Sequence, residues 1–206
     1  MIRNVEPVVL EGELVRLAPL RAEHVDDLAG VGLDPRIWTW GHPLADRSDV
    51  ERYVNTALQW QAAGTAIPFV TVSRTTGKIV GSTRFAAIDR ENRRAEIGWT
   101  WLSPSCWRTG INTEAKLLML RHAFQTWGCR RVEFKTDSLN DRSRTAIARL
   151  GASFEGILRN HMVTPTERMR HTAYYSILDD EWPDVERRLL SFLARPGRDE
   201  KTEELS

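Results

Sequence analysis

The chain has little cysteine, almost no net charge and no long apolar run. Its 206 residues include only Cys106 and Cys129, at a spacing that suits neither a metal-ligand set nor a disulfide framework. A reducing cytoplasm is therefore the expected setting. The formal net charge is +1, so no strong field for nucleic acid or an acidic membrane surface is built in. No stretch approaches the length of a membrane span, and no early apolar run resembles a signal peptide. His24, His42, His122 and His171 stand at no metal-ligand spacing, and no metal is expected. Disulfide scaffolds, nucleic-acid binders and membrane proteins are thus set aside.

What is present is the balance of a globular protein. Hydrophobic residues make up 41% and charged residues 28%, enough for a sizeable core in a chain of this length. Eight tryptophans are spread along the sequence, which suits core and pocket walls better than a binding stripe.

Leu14 to Leu17 alternates as a short first strand, and Arg21 to Ala29 reads as a short helix. Ser48-Asp49-Val50-Glu51 fits a capping box, followed by the helical stripe Val50, Tyr53, Val54, Ala57 and Leu58, which Gly64 ends. Strands are expected over Pro68 to Val72, Lys78 to Ala87 and Arg94 to Leu102, the first two joined at Thr76-Gly77. Ile111 to Trp127 is the strongest helix, apolar over more than half its circumference and so buried on more than one side. Arg131 to Thr136 alternates as a strand. Ser138 to Leu150 is a helix closed by Gly151, and Phe154 to Arg159 and Thr172 to Leu178 are late strands. Pro183 opens a last helix.

No repeat or linker interrupts this order. One domain is expected over residues 10–194, with a polar, frayed tail over 195–206. Strands come in a hairpin-rich run before the main helix and resume after it. That order predicts a mixed α/β (α+β) fold with a largely antiparallel sheet, not a doubly wound parallel one.

The segment that carries chemistry runs from Glu96-Ile97-Gly98 on a strand, through Ser103 to Thr109, into Gly110-Ile111-Asn112-Thr113-Glu114-Ala115. A helix N-terminus presents unpaired amides and partial positive charge. Gly110 lets a ligand approach the backbone closely. Together they form an anion cradle suited to a diphosphate, to which Arg108 adds charge. An ordinary turn through glycine reads the same way locally.

The run Trp107-Arg108-Thr109-Gly110-Ile111-Asn112-Thr113-Glu114-Ala115-Lys116 resembles the pyrophosphate loop of the GNAT acetyltransferase superfamily. It is most similar to the branch of ribosomal-protein N-terminal (alanine/serine) acetyltransferases. Leu10-Glu11-Gly12-Glu13-Leu14-Val15-Arg16-Leu17, Asn140-Asp141-Arg142-Ser143, Leu150-Gly151-Ala152 and Glu155-Gly156 follow that branch in order. The resemblance spans roughly Leu10 to Leu178, and the ordered set is more specific than any one motif.

The resemblance implies a central, twisted, mostly antiparallel sheet with a splayed pair of parallel strands and helices on both faces. It implies acetyl-CoA as co-substrate and an amine as acceptor, and it allows a homodimer while leaving the oligomeric state open. Main-chain groups near Trp101 and Leu102 would hold the pantetheine arm. The amides of Arg108, Thr109, Gly110, Ile111, Asn112 and Thr113 would take the diphosphate. Asn140 either hydrogen-bonds the pantetheine or caps its helix, and both are compatible. Ser143 stands where this branch places a hydroxyl facing the CoA sulfur; otherwise it makes a local first-turn bond.

Glu96 is the first candidate for general base, or else a solvated carboxylate paired with Arg93 or Arg94. His161 is the second candidate. By position in the family fold, Trp38, Trp40 and Phe85 would line the acceptor side. Trp107 stands where the superfamily loop usually has Gln or Arg, and Asn112 where it has a small residue. Met162 stands where some ribosomal-protein acetyltransferases carry a glutamate. Two functions follow: acetyl transfer to an amine of a small molecule or peptide N-terminus, and a non-catalytic acyl-CoA-binding module.

Overall fold

The computed structural model describes residues 1–2, 4–41 and 43–195. His42 and all but the first residue of the expected tail lie outside them.

The strands are β1 (Leu10–Glu11), β2 (Val15–Pro19), β3 (Ile67–Ser73), β4 (Ile79–Asp89), β5 (Arg94–Leu102), β6 (Arg131–Asp137), β7 (Ser153–Val163) and β8 (Met169–Leu178). They form one eight-stranded sheet in the order β1-β2-β3-β4-β5-β6-β8-β7. Every neighbouring pair is antiparallel except β5 and β6, which run parallel. That parallel pair is short: only Arg94, Ala95 and Glu96 meet Arg131, Val132 and Glu133. Beyond Glu96 the two strands lose their pairing, so an interior strand is left with an open edge.

The helices are α1 (Val25–Gly32), α2 (Arg47–Ala62), α3 (Ile111–Arg121), α4 (Asp141–Leu150) and α5 (Trp182–Leu193). Helices α1 and α2 cover one face of the sheet, with Leu28, Val50, Val54 and Ala57 packed against Val70 and Trp101. Helices α3, α4 and α5 supply the other core, where Met119, Leu120, Ile147 and Leu189 meet Phe69, Phe85, Phe134 and Ile177. Each fully buried Val, Leu, Ile, Met or Phe among them contributes about 1.5–3 kcal/mol. The mixed, mostly antiparallel sheet with helices on both faces is the fold the sequence implied.

Three local expectations change. Helix α2 is capped not by Ser48 but by Asp46, whose carboxylate accepts from the Asp49 amide at 3.0 Å. Ser48 lies inside the first turn and donates its hydroxyl to Asp46 instead. The main helix is not uniformly α: after Arg121 it widens into a π turn over His122–Thr126. The wider turn lets both His122 and Trp127 pack on the ring of Phe85, at 6.1 and 4.6 Å between centroids. The strand expected over Phe154 to Arg159 extends through Val163, because β7 pairs with β8 as a long hairpin.

Strand β5 carries an irregularity that the site depends on. Its register slips by one residue against β4, between Arg84–Gly98 and Ser82–Trp101. Trp99 absorbs the extra residue with a left-handed backbone (φ 48°), rare for a side chain of this size. The bulge resets the alternation of the strand. Trp99 turns to Trp60 of α2, at 5.1 Å, while Thr100 turns to the α3 side.

Candidate active site

The gap between β5 and β6 is bounded by three features: the bulged end of β5, the N-terminus of α3 and the N-terminus of α4. Each follows from local sequence.

The loop from β5 to α3 is held by its own side chains. The Trp107 indole donates to the Leu102 carbonyl at 2.9 Å, and the Thr109 hydroxyl donates to the Cys106 carbonyl at 2.7 Å. Thr109 also accepts from the Ile111 amide at 3.3 Å. The amides of Arg108, Thr109, Gly110, Asn112 and Thr113 have no protein acceptor among the described residues. Arg108, exposed, takes the left-handed conformation (φ 63°) that turns the chain into the helix. The cradle is therefore a run of donors at a helix N-terminus. Asn112 adds a complication: its side-chain oxygen is buried without a donor.

Gly110 makes a close contact that the sequence did not reveal. A Cβ there would meet Leu14 Cδ1 at 2.5 Å. Leu14 is held in turn by Glu114, whose carboxylate accepts from the amides of Glu13, Leu14 and Val15 at 2.9, 2.7 and 2.8 Å. The Leu10–Leu17 motif and the Thr113-Glu114-Ala115 motif are thus two halves of one contact. It fixes the first turn of α3 against the start of β2. The Thr113 hydroxyl accepts from Arg149 of α4 at 2.7 Å, which ties the two helices together.

At α4 the Asn140 side-chain oxygen accepts from the Ser143 amide at 3.0 Å, so Asn140 is the helix cap. Its side-chain NH2 has no acceptor among the described residues and stays available to a ligand. The half-buried Ser143 hydroxyl likewise has no protein partner there.

Glu96 sits at the apex, on the last paired residue of the parallel ladder. Its Oε2 accepts from Lys135 at 2.8 Å, so its partner is neither Arg93 nor Arg94. Burial pushes the Glu96 carboxyl above the usual range, against the opposing pull of Lys135. Lys135 remains charged, held up by Glu96 against its own burial.

The remaining candidates separate. Trp101 is buried against Trp38 and Tyr53, at 5.6 and 6.3 Å, so only its backbone is available to a ligand. The Leu102 carbonyl already holds the Trp107 indole. Trp40 is partly exposed beyond α1. Phe85 is fully buried in the core against α3, not on the acceptor side, because its strand position faces Trp127. His161 lies exposed on β7 against the Thr172 hydroxyl at 3.0 Å, and Met162 is exposed beside it.

Two buried cations were not singled out from the sequence. The guanidinium of Arg84 lies over the rings of Tyr53, Trp60 and Trp99, at 4.7, 5.4 and 5.3 Å. Lys116 of α3 is buried beneath β5, donating to Thr100 at 2.6 Å and Thr83 at 3.2 Å. Its position inside the otherwise apolar run Ala115 to Leu120 was the available signal. Among the described residues no cluster of His, Cys, Asp and Glu could hold a metal ion, and no helix is long and apolar enough to cross a membrane.

Comparison with known proteins agrees with this architecture. The profile of the acetyltransferase (GNAT) domain matches residues 15–153. The uncharacterized N-acetyltransferase p20 of Bacillus licheniformis is 27% identical over 151 residues, covering 72% of this chain and 84% of its own length. A GCN5-related N-acetyltransferase from Brucella melitensis, 33% identical, shares the fold with a TM-score of 0.83 over 92% of this chain and 86% of that one. RimJ of Mycobacterium smegmatis, solved in complex with CoA-disulfide, is 22% identical with a TM-score of 0.78, covering 91% of this chain and 96% of its own. The domain match takes in the split strands, the glycine-led helix and the Asn140 cap, and the chain belongs to the GNAT family of acetyltransferases.

Proposed function

We propose that this acetyltransferase moves the acetyl group of acetyl-CoA to a primary amine, of a small molecule or a peptide N-terminus, by direct attack in a ternary complex. The observation that carries the reading is the parting of β5 from β6 between two helix N-termini, with Glu96 at its apex. The unpaired amides of Arg108, Thr109, Gly110, Asn112 and Thr113 suit the diphosphate, and the open edge of β5 with the Asn140 NH2 suits the amide-rich arm. That RimJ was solved with a CoA disulfide fits a gap of this shape.

An arriving ammonium must lose a proton before it attacks. Glu96, desolvated and raised, is the base we assign, with Oε1 as the accepting atom because Lys135 holds Oε2. Ser143 is the group we assign to return a proton to the departing thiolate. The ion pair of Glu96 with Lys135 favours a second reading, in which the carboxylate is structural and the domain binds acyl-CoA without turnover.

The test is calorimetric binding of acetyl-CoA, followed by a thiol-release screen over amines, amino acids and short peptides. Binding with turnover is expected. Binding without turnover on any amine favours the second reading, and no binding at millimolar acetyl-CoA rejects both.

A further inference from the structure

Lys116 is the most unusual charged group in the molecule. It lies 5% exposed in α3, with Met119 and Leu120 on the turn that follows it. Among the described residues no carboxylate lies within ion-pairing distance of it, and its polar contacts are two threonine hydroxyls. Burying a charge in this way costs several kcal/mol when it is not paired with an opposite one. Neither the cradle nor the assigned base uses it.

The hydrogen bonds around it have a direction. Lys116 Nζ donates to Thr100 Oγ1 at 2.6 Å and to Thr83 Oγ1 at 3.2 Å. The two threonine oxygens are 2.7 Å apart, so one hydroxyl donates to the other. Thr83 is enclosed between strand and helix; its other contacts are long, to the Gly98 carbonyl at 3.4 Å and Met119 sulfur at 3.7 Å. Thr100 is exposed, on the part of β5 that has lost β6 as a neighbour. When Thr83 donates to Thr100, the Thr100 oxygen accepts two bonds. Its own hydrogen then has only the Gly98 carbonyl, at 3.4 Å, or the open gap. A chain of this kind strengthens its last donor. The bulge at Trp99 is what makes it possible, since an unbroken alternation would put Thr100 on the opposite face.

We propose that Lys116 and Thr83 are positioning residues that aim the Thr100 hydroxyl into the gap, where it donates to a carbonyl oxygen of the bound acyl-pantetheine arm. This rests on the acetyl-CoA reading above. The carbonyl belongs either to an arm amide or to the thioester, and the ligands below distinguish them.

Affinities for acetyl-CoA, CoA and adenosine 3′,5′-bisphosphate, which lacks the arm, are measured for the wild type and for Thr100→Val, Thr100→Ser, Lys116→Met and the double variant Thr100→Val/Lys116→Met. Thermal melts check that each is folded. Thr100→Val and Lys116→Met should each weaken acetyl-CoA about tenfold, the size of one hydrogen bond. The double variant should be no weaker than either single one, because both remove the same bond. Thr100→Ser should bind like the wild type, and the bisphosphate should be unaffected throughout. A loss shared by CoA places the contact on an arm amide; a loss confined to acetyl-CoA places it on the thioester. The proposal is overturned if Thr100→Val binds acetyl-CoA within twofold of wild type. It is equally overturned if the bisphosphate weakens in parallel, or if Thr100→Ser fails to rescue. Should Lys116→Met not fold, the Thr100 pair decides alone. Failure of the wild type to bind acetyl-CoA at all would instead remove the functional reading on which the proposal stands.

Discussion

Glu114 is the residue whose removal should reveal most about how the donor side is built. Its carboxylate accepts from the amides of Glu13, Leu14 and Val15, roughly a hundred positions earlier in the chain. Hydrogen bonds to a charged acceptor contribute about 1.5–3 kcal/mol each, but bonds sharing one carboxylate do not add fully. In Glu114→Ala, the amides of Glu13 and Leu14 regain water in part, while that of Val15 stays buried and unpaired. The expected loss is about 4 kcal/mol. Glu114→Gln keeps the volume and one acceptor oxygen but turns an NH2 toward an amide N–H. Its loss should be about 2 kcal/mol. Urea unfolding measures both, read from midpoints at unchanged slope. A second variant sharpens the test. A Cβ on Gly12 would run into the Glu114 carboxylate, so Gly12→Ala should be strongly destabilising alone and nearly neutral added to Glu114→Ala. Since Leu14 rests on Gly110, Glu114→Ala should also weaken acetyl-CoA binding. Glu114→Ala within 1 kcal/mol of wild type, or additive costs with Gly12→Ala, would refute the coupling of β2 to the cradle.

Three further outcomes are expected. Gly110→Ala should lower acetyl-CoA affinity through the clash with Leu14, and Gly110→Asp should lower it more, since a carboxylate also repels the diphosphate; titration calorimetry ranks the two. Glu96→Gln should lower kcat by about a hundredfold while leaving acetyl-CoA affinity within a few-fold, if the carboxylate takes the amine's proton; unchanged kcat would leave Glu96 a structural partner of Lys135. Burial moves Lys116 from 10.5 to about 7, so above pH 7 the unfolded chain binds a proton that the folded one releases. Stability must then rise with pH: the wild type should gain about 2 kcal/mol relative to Lys116→Met between pH 7 and pH 9, measured by denaturant unfolding. A flat difference would mean that Lys116 keeps its proton in the fold.

The fold was legible because its signals are local. The stripe from Ala115 to Trp127, the hairpin turn at Thr76-Gly77 and the alternation of β6 each report their own element. The cradle was legible for the same reason, as strand, glycine and helix are consecutive. What escaped depends on distant partners. Glu114 looked like part of a helix motif because Leu14 lies a hundred residues away. Phe85 was assigned by position in the family fold to the acceptor side, and only the packing of Trp127 puts it in the core. Lys116 was hidden because nothing in the order of residues says that Trp99 takes a left-handed backbone, and without that bulge Thr100 would not face the lysine. Ser48 misleads for a smaller reason: its residue type also fits a cap, and the contact of Asp46 with the Asp49 amide decides.

The brevity of the β5–β6 contact also has a mechanical side. Five strands lie on one side of it and three on the other, joined by the ladder of Arg94, Ala95 and Glu96. Within the sheet these two leaves meet only at that clasp, while the core they share beneath α3 and the bond from Arg149 to Thr113 tie them as well. A ligand lying along the parting grips both leaves. Its occupancy should slow hydrogen exchange not only in the cradle but in the edge strand β7, which pairs only with β8 and feels the ligand through its leaf.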